Sequence, residues 1–260
     1  GVYTLGTGSP CINTGDPADP TPAVIREAMK TACELRATSG YPSYVGSEVF
    51  RSAVAHWTKQ RFGVSLDPQT EICSTIGAKE GVFHFPAAIL DPGDLVLCPS
   101  PGYPPYHRGT LFAGGVPWHY PLRAQNHFLP DLSAIPADVL ARARILWVNY
   151  PNSPTGCLAP DALFEDLVAF AARHDLILAS DEAYSEIWFD GKPRSVLEFG
   201  REGVVVFQSL SKRSAMTGYR VGWMAGDARI VSAFKKLKTN IDSGTPTFIQ
   251  DAAVAALADE

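Results

Sequence analysis

Lys212 lies in Ser209-Leu210-Ser211-Lys212-Arg213-Ser214-Ala215-Met216-Thr217-Gly218-Tyr219-Arg220, directly after the apolar run Val204 to Phe207. That run reads as a buried strand. A lysine carried off the end of such a strand is partly desolvated, which lowers an ammonium pKa and frees an amine nucleophile. Hydroxyl residues surround it, and Arg220 follows; hydroxyls and guanidinium groups are phosphate ligands. An amine able to attack a carbonyl, beside a phosphate site, predicts a Schiff base to pyridoxal phosphate.

In open α/β sheets ligands collect beyond the carboxyl ends of the strands. Four further segments fall at such ends. Thr75-Ile76-Gly77-Ala78-Lys79-Glu80 joins a strand to a helix, and its small residues let backbone N–H groups approach an anion. Asn149-Tyr150-Pro151-Asn152-Ser153-Pro154-Thr155-Gly156 is a loop fixed by two prolines and a glycine, with amide and hydroxyl groups for a ring substituent. Asp181-Glu182-Ala183-Tyr184 puts a carboxylate where a buried strand ends. A buried carboxylate needs a partner or its pKa rises, and a protonated pyridine nitrogen is such a partner. Tyr103, in Pro101-Gly102-Tyr103-Pro104-Pro105-Tyr106, can stack on a planar ring. Singly, each segment has a plain structural explanation: a tight turn, a helix cap, core packing. Together, five strand ends carry five groups that complement one phosphorylated aromatic aldehyde.

The elements that must hold these segments can be read from periodicity. Thr21-Pro22 opens a helix to about Leu35, with Thr21 as N-cap and Pro22 as first helical residue. A second helix is expected from Glu48 to Arg61. Strands are expected at Ile72 to Ile76, Leu95 to Cys98, Val116 to Tyr120, Ile145 to Val148, Leu176 to Ser180, Val204 to Phe207 and Val221 to Ala225. Helices are expected at Ala78 to Leu90, Tyr103 to Ala113, Pro160 to Arg173, Ile230 to Leu237 and Phe248 to Leu257. Apolar strand runs between amphipathic helices predict an α/β fold of three α/β/α layers with a mostly parallel sheet.

Composition excludes several functions. The 260 residues are 46% hydrophobic and 19% charged, with a net charge of −5. This describes an ordinary globular protein with no basic stripe for nucleic acid or an anionic membrane. Lys235-Lys236-Leu237-Lys238, the one basic cluster, reads as a solvated helix face. No apolar run spans a bilayer, and no secretory signal is visible at the first residues. Cys11, Cys33, Cys73, Cys98 and Cys157 are scattered, with no CxxC pair. Neither they nor the six histidines show metal-ligand spacing, so no metal is expected. Free thiols point to a reducing, cytoplasmic location. The chain stops directly after a helical pattern at Ala258-Asp259-Glu260, which reads as a cut.

From about Gly15 to Glu260 the sequence resembles the fold type I, class I/II pyridoxal-phosphate-dependent aminotransferases. Thr14-Gly15-Asp16-Pro17, Asp19-Pro20-Thr21-Pro22, Gly40-Tyr41-Pro42, Ile76-Gly77-Ala78-Lys79-Glu80-Gly81 and Ser211 to Arg220 are most similar to the diaminopimelate aminotransferases of lysine biosynthesis, N-succinyl and LL types. The resemblance implies that Lys212 bonds to the cofactor and acts as general base and acid. It implies that Asp181 pairs with the pyridinium and that Tyr184 donates to the phenolic oxygen. Tyr103 stacks on the ring, and Gly77, Ala78, Lys79, Ser209 and Arg220 cradle the phosphate. Tyr41 reaches the neighbouring subunit's phosphate in a homodimer, and Gly15 lies near the substrate carboxylate. The family's asparagine to the phenolic oxygen directly precedes Pro-Thr-Gly. That position is Ser153 here, with Asn152 one earlier, so either Asn152 or Ser153 takes the role. By the same resemblance, residues 1–38 form the N-terminal arm and a segment of the small domain, and 39–260 form the large cofactor domain. The rest of the small domain, with the arginine for the substrate carboxylate, is expected beyond the end of this chain.

The implied activity is transfer of an amino group between an amino acid and a 2-oxo acid such as 2-oxoglutarate, with N-succinyl-LL-diaminopimelate or a related amino acid as donor. Two alternatives remain at this point. One is a β-elimination lyase on the same scaffold, and the other is a non-catalytic cofactor-binding regulatory domain.

Overall fold

The computed structural model describes residues 17–189 and 191–258. Among the described residues, helices α1 (Ala23–Leu35) and α2 (Glu48–Phe62) precede the first strand. Then follow β1 (Ile72–Thr75), α3 (Ala78–His84), β2 (Leu95–Ser100), α4 (Pro104–Phe112), β3 (Val116–Pro121), α5 (Ala137–Leu140) and β4 (Ala143–Asn149). The chain continues through α6 (Asp161–Arg173), β5 (Ile177–Asp181), β6 (Val204–Ser209), α7 (Leu210–Arg213), β7 (Gly222–Gly226), α8 (Ala228–Lys238) and α9 (Thr247–Ala258).

Local chemistry sets most boundaries. Ser47 caps α2 by accepting from the Phe50 N–H at 3.2 Å, and Gly63 ends that helix at φ 72°. Asp227 caps α8 by accepting from the Arg229 N–H at 2.9 Å. Two boundaries depart from expectation. Pro22 precedes α1 instead of starting it, and the Thr21 hydroxyl donates to the Ala215 carbonyl at 2.6 Å. A distant acceptor has displaced the local cap. The helix expected to run from Ala78 to Leu90 stops at His84 and tightens into a 3-10 turn, Phe85–Ala88, where Pro86 has no N–H to donate.

The seven strands lie in the order β1-β7-β6-β5-β4-β2-β3. Strand β7 is antiparallel to both β1 and β6, and every other pair is parallel. Six carboxyl ends therefore share one edge of the sheet with the start of β7. The two faces are covered by different helices. On one, Val96, Trp147, Val205 and Phe207 pack with Val82, Tyr106 and Phe234 from α3, α4 and α8. On the other, Leu146, Val148, Leu178, Val206 and Trp223 pack with Phe50 and Trp57 of α2, Phe164 and Leu167 of α6, and Ala252 and Ala256 of α9. The three-layer α/β/α expectation holds. No helix among the described residues is long and apolar enough to cross a membrane.

Glu182 ties the long connection after β5 back to the sheet. Its side chain is fully buried. Oε1 accepts from the Val196 N–H at 3.0 Å and the Ser180 hydroxyl at 3.1 Å, and Oε2 accepts from Gln208 Nε2 at 3.3 Å. Burial outweighs these bonds and pushes the carboxyl from 4.5 up to about 7. The folded state thus holds the proton more tightly than the unfolded chain. The stabilising contribution is fully present below pH 4.5 and is lost as pH rises through about 7. Glu182→Gln keeps the shape and cannot ionise. It should flatten this part of the stability profile, read by urea unfolding on either side of that window. An unchanged slope would assign the pH dependence to other groups.

Candidate active site

The carboxyl edge of the sheet collects the residues expected to do chemistry. Strand β6 ends at Ser209, whose hydroxyl accepts from the Ser211 N–H at 3.1 Å and caps the single turn α7. That turn carries Lys212, half-buried, just beyond the strand end. Arg220 then enters β7 in a left-handed conformation, φ 56°. Its guanidinium donates to the Thr217 carbonyl at 2.7 Å and to the Ile76 carbonyl at 3.4 Å.

Arg220 lies directly over Gly77. A Cβ added to Gly77 would sit 2.3 Å from Arg220 Nη2, and its φ of 72° also disfavours a side chain. The backbone conformation is what calls for glycine here, since the guanidinium is the movable end of a flexible side chain. The ladder register explains the meeting, since Gly222 pairs with Thr75 on one side and Ser209 on the other. Ser209, Gly77, Ala78 and Arg220 therefore surround one small region. Lys79 adds backbone to the turn while its side chain is exposed.

Two residues deeper, Asn149 pairs with Asp181 across β4 and β5. Asp181, 5% exposed, accepts from the Tyr106 hydroxyl at 2.8 Å and the Ala183 N–H at 3.2 Å. Burial raises its pKa, and the two hydrogen bonds oppose the rise. Both donors are neutral, so the described residues supply no countercharge through them. Tyr103 leads into α4 edge-on to Tyr106, with ring centroids 5.8 Å apart. Burial lifts the Tyr103 phenol pKa, Asp181 and then Tyr184 lift it further, and Arg220 lowers it. Asp181, Tyr184 and Arg220 are thus the groups whose electrostatic influence reaches Tyr103.

In the β4–α6 loop, Asn152 and Ser153 both lie in the stretch that follows β4. Asn152 Oδ1 accepts from the Thr155 hydroxyl at 2.7 Å, while Nδ2 is buried with no hydrogen-bond partner. An orphaned amide donor is costly and is suited to an acceptor on a bound molecule. The Ser153 backbone N–H donates to Asn149 Oδ1 at 2.7 Å, which leaves its hydroxyl as a second candidate donor.

Tyr41 is not brought to this region; it is 93% exposed. Gly15 lies outside the described residues. Two residues joined the site without being expected. Tyr106 holds Asp181, and Asn149 Nδ2 donates to the Asp181 carbonyl at 2.8 Å while its Oδ1 holds the next loop. The spacing Tyr103-x-x-Tyr106 on a helix was the available signal for the first.

A family model for aminotransferase class I and II matches residues 2–260. The chain belongs to the class I and II aminotransferases. It is 48% identical over 249 residues to an LL-diaminopimelate aminotransferase of Aquifex aeolicus, covering 95% of this chain and 64% of that one. Another protein of that name, from Desulforudis audaxviator, is 49% identical over 249 residues, with the same shares covered. Among solved structures, an aminotransferase from Staphylococcus aureus superposes with a TM-score of 0.90 at 31% identity, covering 100% of this chain and 67% of that one. Thermus thermophilus aspartate aminotransferase with maleate gives a TM-score of 0.88 at 31% identity, covering 94% and 64%. The chain thus spans about 64% of the curated relatives' length.

The family's cofactor is pyridoxal 5'-phosphate, and the residues fit it. A buried carboxylate with neutral donors suits a cationic ring nitrogen, an orphaned amide suits the phenolic oxygen, and the Gly77–Arg220 cradle suits the phosphate.

Gly222 backs this cradle. A Cβ there would meet the Gln208 carbonyl oxygen at 2.5 Å, the Ala78 nitrogen at 2.9 Å and the Gly77 carbonyl carbon at 3.1 Å, all backbone atoms. Gly222→Ala must therefore displace the turn. The cofactor Kd should rise by about tenfold or more, read by absorbance titration of protein shown to be folded by circular dichroism. An unchanged Kd would mean the turn does not hold the phosphate.

Proposed function

We propose that the protein to which this chain belongs is a transaminase, moving an amino group from an amino acid to a 2-oxo acid such as 2-oxoglutarate. The observation that carries this reading is the half-buried Lys212 at the same sheet edge as the buried Asp181, whose two hydrogen-bond donors are both neutral. Relatives named LL-diaminopimelate aminotransferase, near half identical across the chain, support LL-diaminopimelate or its N-succinyl form as amino donor.

The proposed roles follow from chemistry and position. Bound at this edge, pyridoxal phosphate supplies an electron-accepting ring that stabilises negative charge at the substrate Cα. Asp181 keeps a positive charge on the ring nitrogen, because an anion in a buried site favours a cationic partner. Tyr103 packs against the ring face. Asn152 Nδ2 and the Tyr184 hydroxyl donate to the phenolic oxygen. Arg220, Ser209 and the N–H groups of Gly77, Ala78 and Lys79 hold the phosphate. Lys212 Nζ anchors the cofactor covalently. When the substrate amine displaces it, it takes the Cα proton as base and returns a proton as acid. The exposed Tyr41 supports a homodimer in which it completes the partner's phosphate site, and Gly15 is assigned to the substrate carboxylate. Four free thiols among the described residues support a reducing, cytoplasmic setting.

The test uses the full-length protein with 2-oxoglutarate and a panel of donors including LL-diaminopimelate, N-succinyl-LL-diaminopimelate and aspartate. Glutamate formation supports transamination. Release of ammonia and pyruvate without glutamate would instead identify a lyase, and cofactor binding without turnover a sensor. Lys212→Ala should lower kcat by about 10²–10⁴-fold or more and remove the long-wavelength absorbance of bound cofactor. Retention of that band in the variant would refute the role of Lys212.

A further inference from the structure

Lys238, the last residue of α8, is 0% exposed. Its ammonium donates to Glu80 Oε2 at 3.1 Å and to both carboxylate oxygens of Asp242, at 2.8 and 2.7 Å. The sequence pattern had read it as part of a solvated helix face. Each carboxylate that holds the lysine also holds backbone. Glu80 Oε2 accepts from the Ile76 N–H at 3.1 Å, and Asp242 Oδ1 accepts from the Gly244 N–H at 2.6 Å. The next residue, Thr245, directs its hydroxyl to the Thr75 carbonyl at 3.2 Å and lies 3.4 Å from the Arg220 carbonyl.

The two arms close on one place. The Ile76 N–H is held by Glu80 and its carbonyl by Arg220 Nη2. Thr245, anchored by Asp242 through Gly244, holds the residue before Ile76 and reaches the Arg220 backbone. Lys238 joins the arms, linking α3, α8 and the loop before α9 to the turn Thr75-Ile76-Gly77. It also offsets part of the Glu80 charge beside that turn, although one ammonium between two carboxylates leaves the cluster net negative.

Stability is a weak reason to keep such a cluster. Burying an ion pair carries a desolvation cost that its Coulombic gain often fails to offset, and apolar replacements are often neutral or better. What the cluster does uniquely is fix the peptide planes on which Arg220 and Gly77 rest. We propose that Lys238, Glu80 and Asp242 form a positioning cluster that sets the geometry of the β1–α3 turn and Arg220, and thereby the preference for a phosphorylated cofactor over its unphosphorylated analogue. This rests on the reading that this turn holds the cofactor phosphate.

The test compares pyridoxal phosphate with pyridoxal on the full-length protein, by absorbance titration. Lys238→Met should raise the Kd for pyridoxal phosphate by about tenfold or more while leaving that for pyridoxal within about twofold. Glu80→Gln, which keeps an acceptor for the Ile76 N–H, should show a smaller selective loss than Glu80→Ala. If Lys238→Met does not fold, the Glu80 pair and Asp242→Asn carry the same comparison. Equal weakening for both ligands would reduce the cluster to general scaffolding and overturn the proposal, as would unchanged affinities. Arg220→Gln separates the two readings. If it selectively weakens pyridoxal phosphate while the cluster variants do not, the phosphate site stands and the positioning role fails. If Arg220→Gln has no selective effect, the phosphate assignment itself fails.

Discussion

Strand β7 runs against its two neighbours and is hydrogen-bonded to both, so that Gly222 lies between Thr75 of β1 and Ser209 of β6. All other strands run one way. A reversed strand in that place starts at the edge where its neighbours end. Arg220, two residues before Gly222, therefore arrives beside Gly77 and the Lys212 turn. Had β7 run parallel, its start would lie at the opposite edge, and the arginine and the lysine would be separated by the height of the sheet. Gly222 follows from this crowding, since a Cβ there would meet backbone within 3 Å, and Gly77 follows from the left-handed turn that brings it under Arg220.

Three buried ionisable groups surround the same edge, and each is compensated differently. Lys238 has two carboxylates. Glu182 has three donors and a pKa pushed to about 7, so it can shed its charge. Asp181 has a tyrosine hydroxyl and one backbone N–H, neither of them cationic. Burying a charge costs several kcal/mol unless it is paired. Lys238 and Glu182 are settled within the protein and act on architecture. The Asp181 pKa is also raised by burial, and its two donors carry no charge, so it is suited to a cationic partner. Adjacent residues 181 and 182 thus differ in their partners, Asp181 closing β5 and Glu182 opening the connection that follows it.

Much of the fold and site was legible because the informative residues fall at strand ends. Apolar runs of four to seven residues mark buried strands, and whatever follows each run is carried to one edge of a parallel sheet. This is why the sequence pattern alone groups Gly77, Tyr103, Asn152, Asp181 and Lys212 at one edge. What escaped was of two kinds. Tyr106 and Asn149 act through another residue, and a second-row contact leaves no pattern of its own. Thr21 and Lys238 have strong local readings, as helix cap and as solvated basic face. Each was overruled by a partner far along the chain, Ala215 for the first and Glu80 for the second.

The sequence by itself determined the α/β class, the strand ends that bear chemistry and the kind of cofactor they suit, because side-chain type and hydrophobic period are local properties. Only the tertiary structure decided that the Asn152 amide is buried with an orphaned donor, that Arg220 lies on Gly77, and that a lysine near the end of a basic run is buried between two carboxylates. Those outcomes depend on strand register and on which loops cross. Both are fixed by packing among residues more than a hundred positions apart, to which no single stretch of the chain has access.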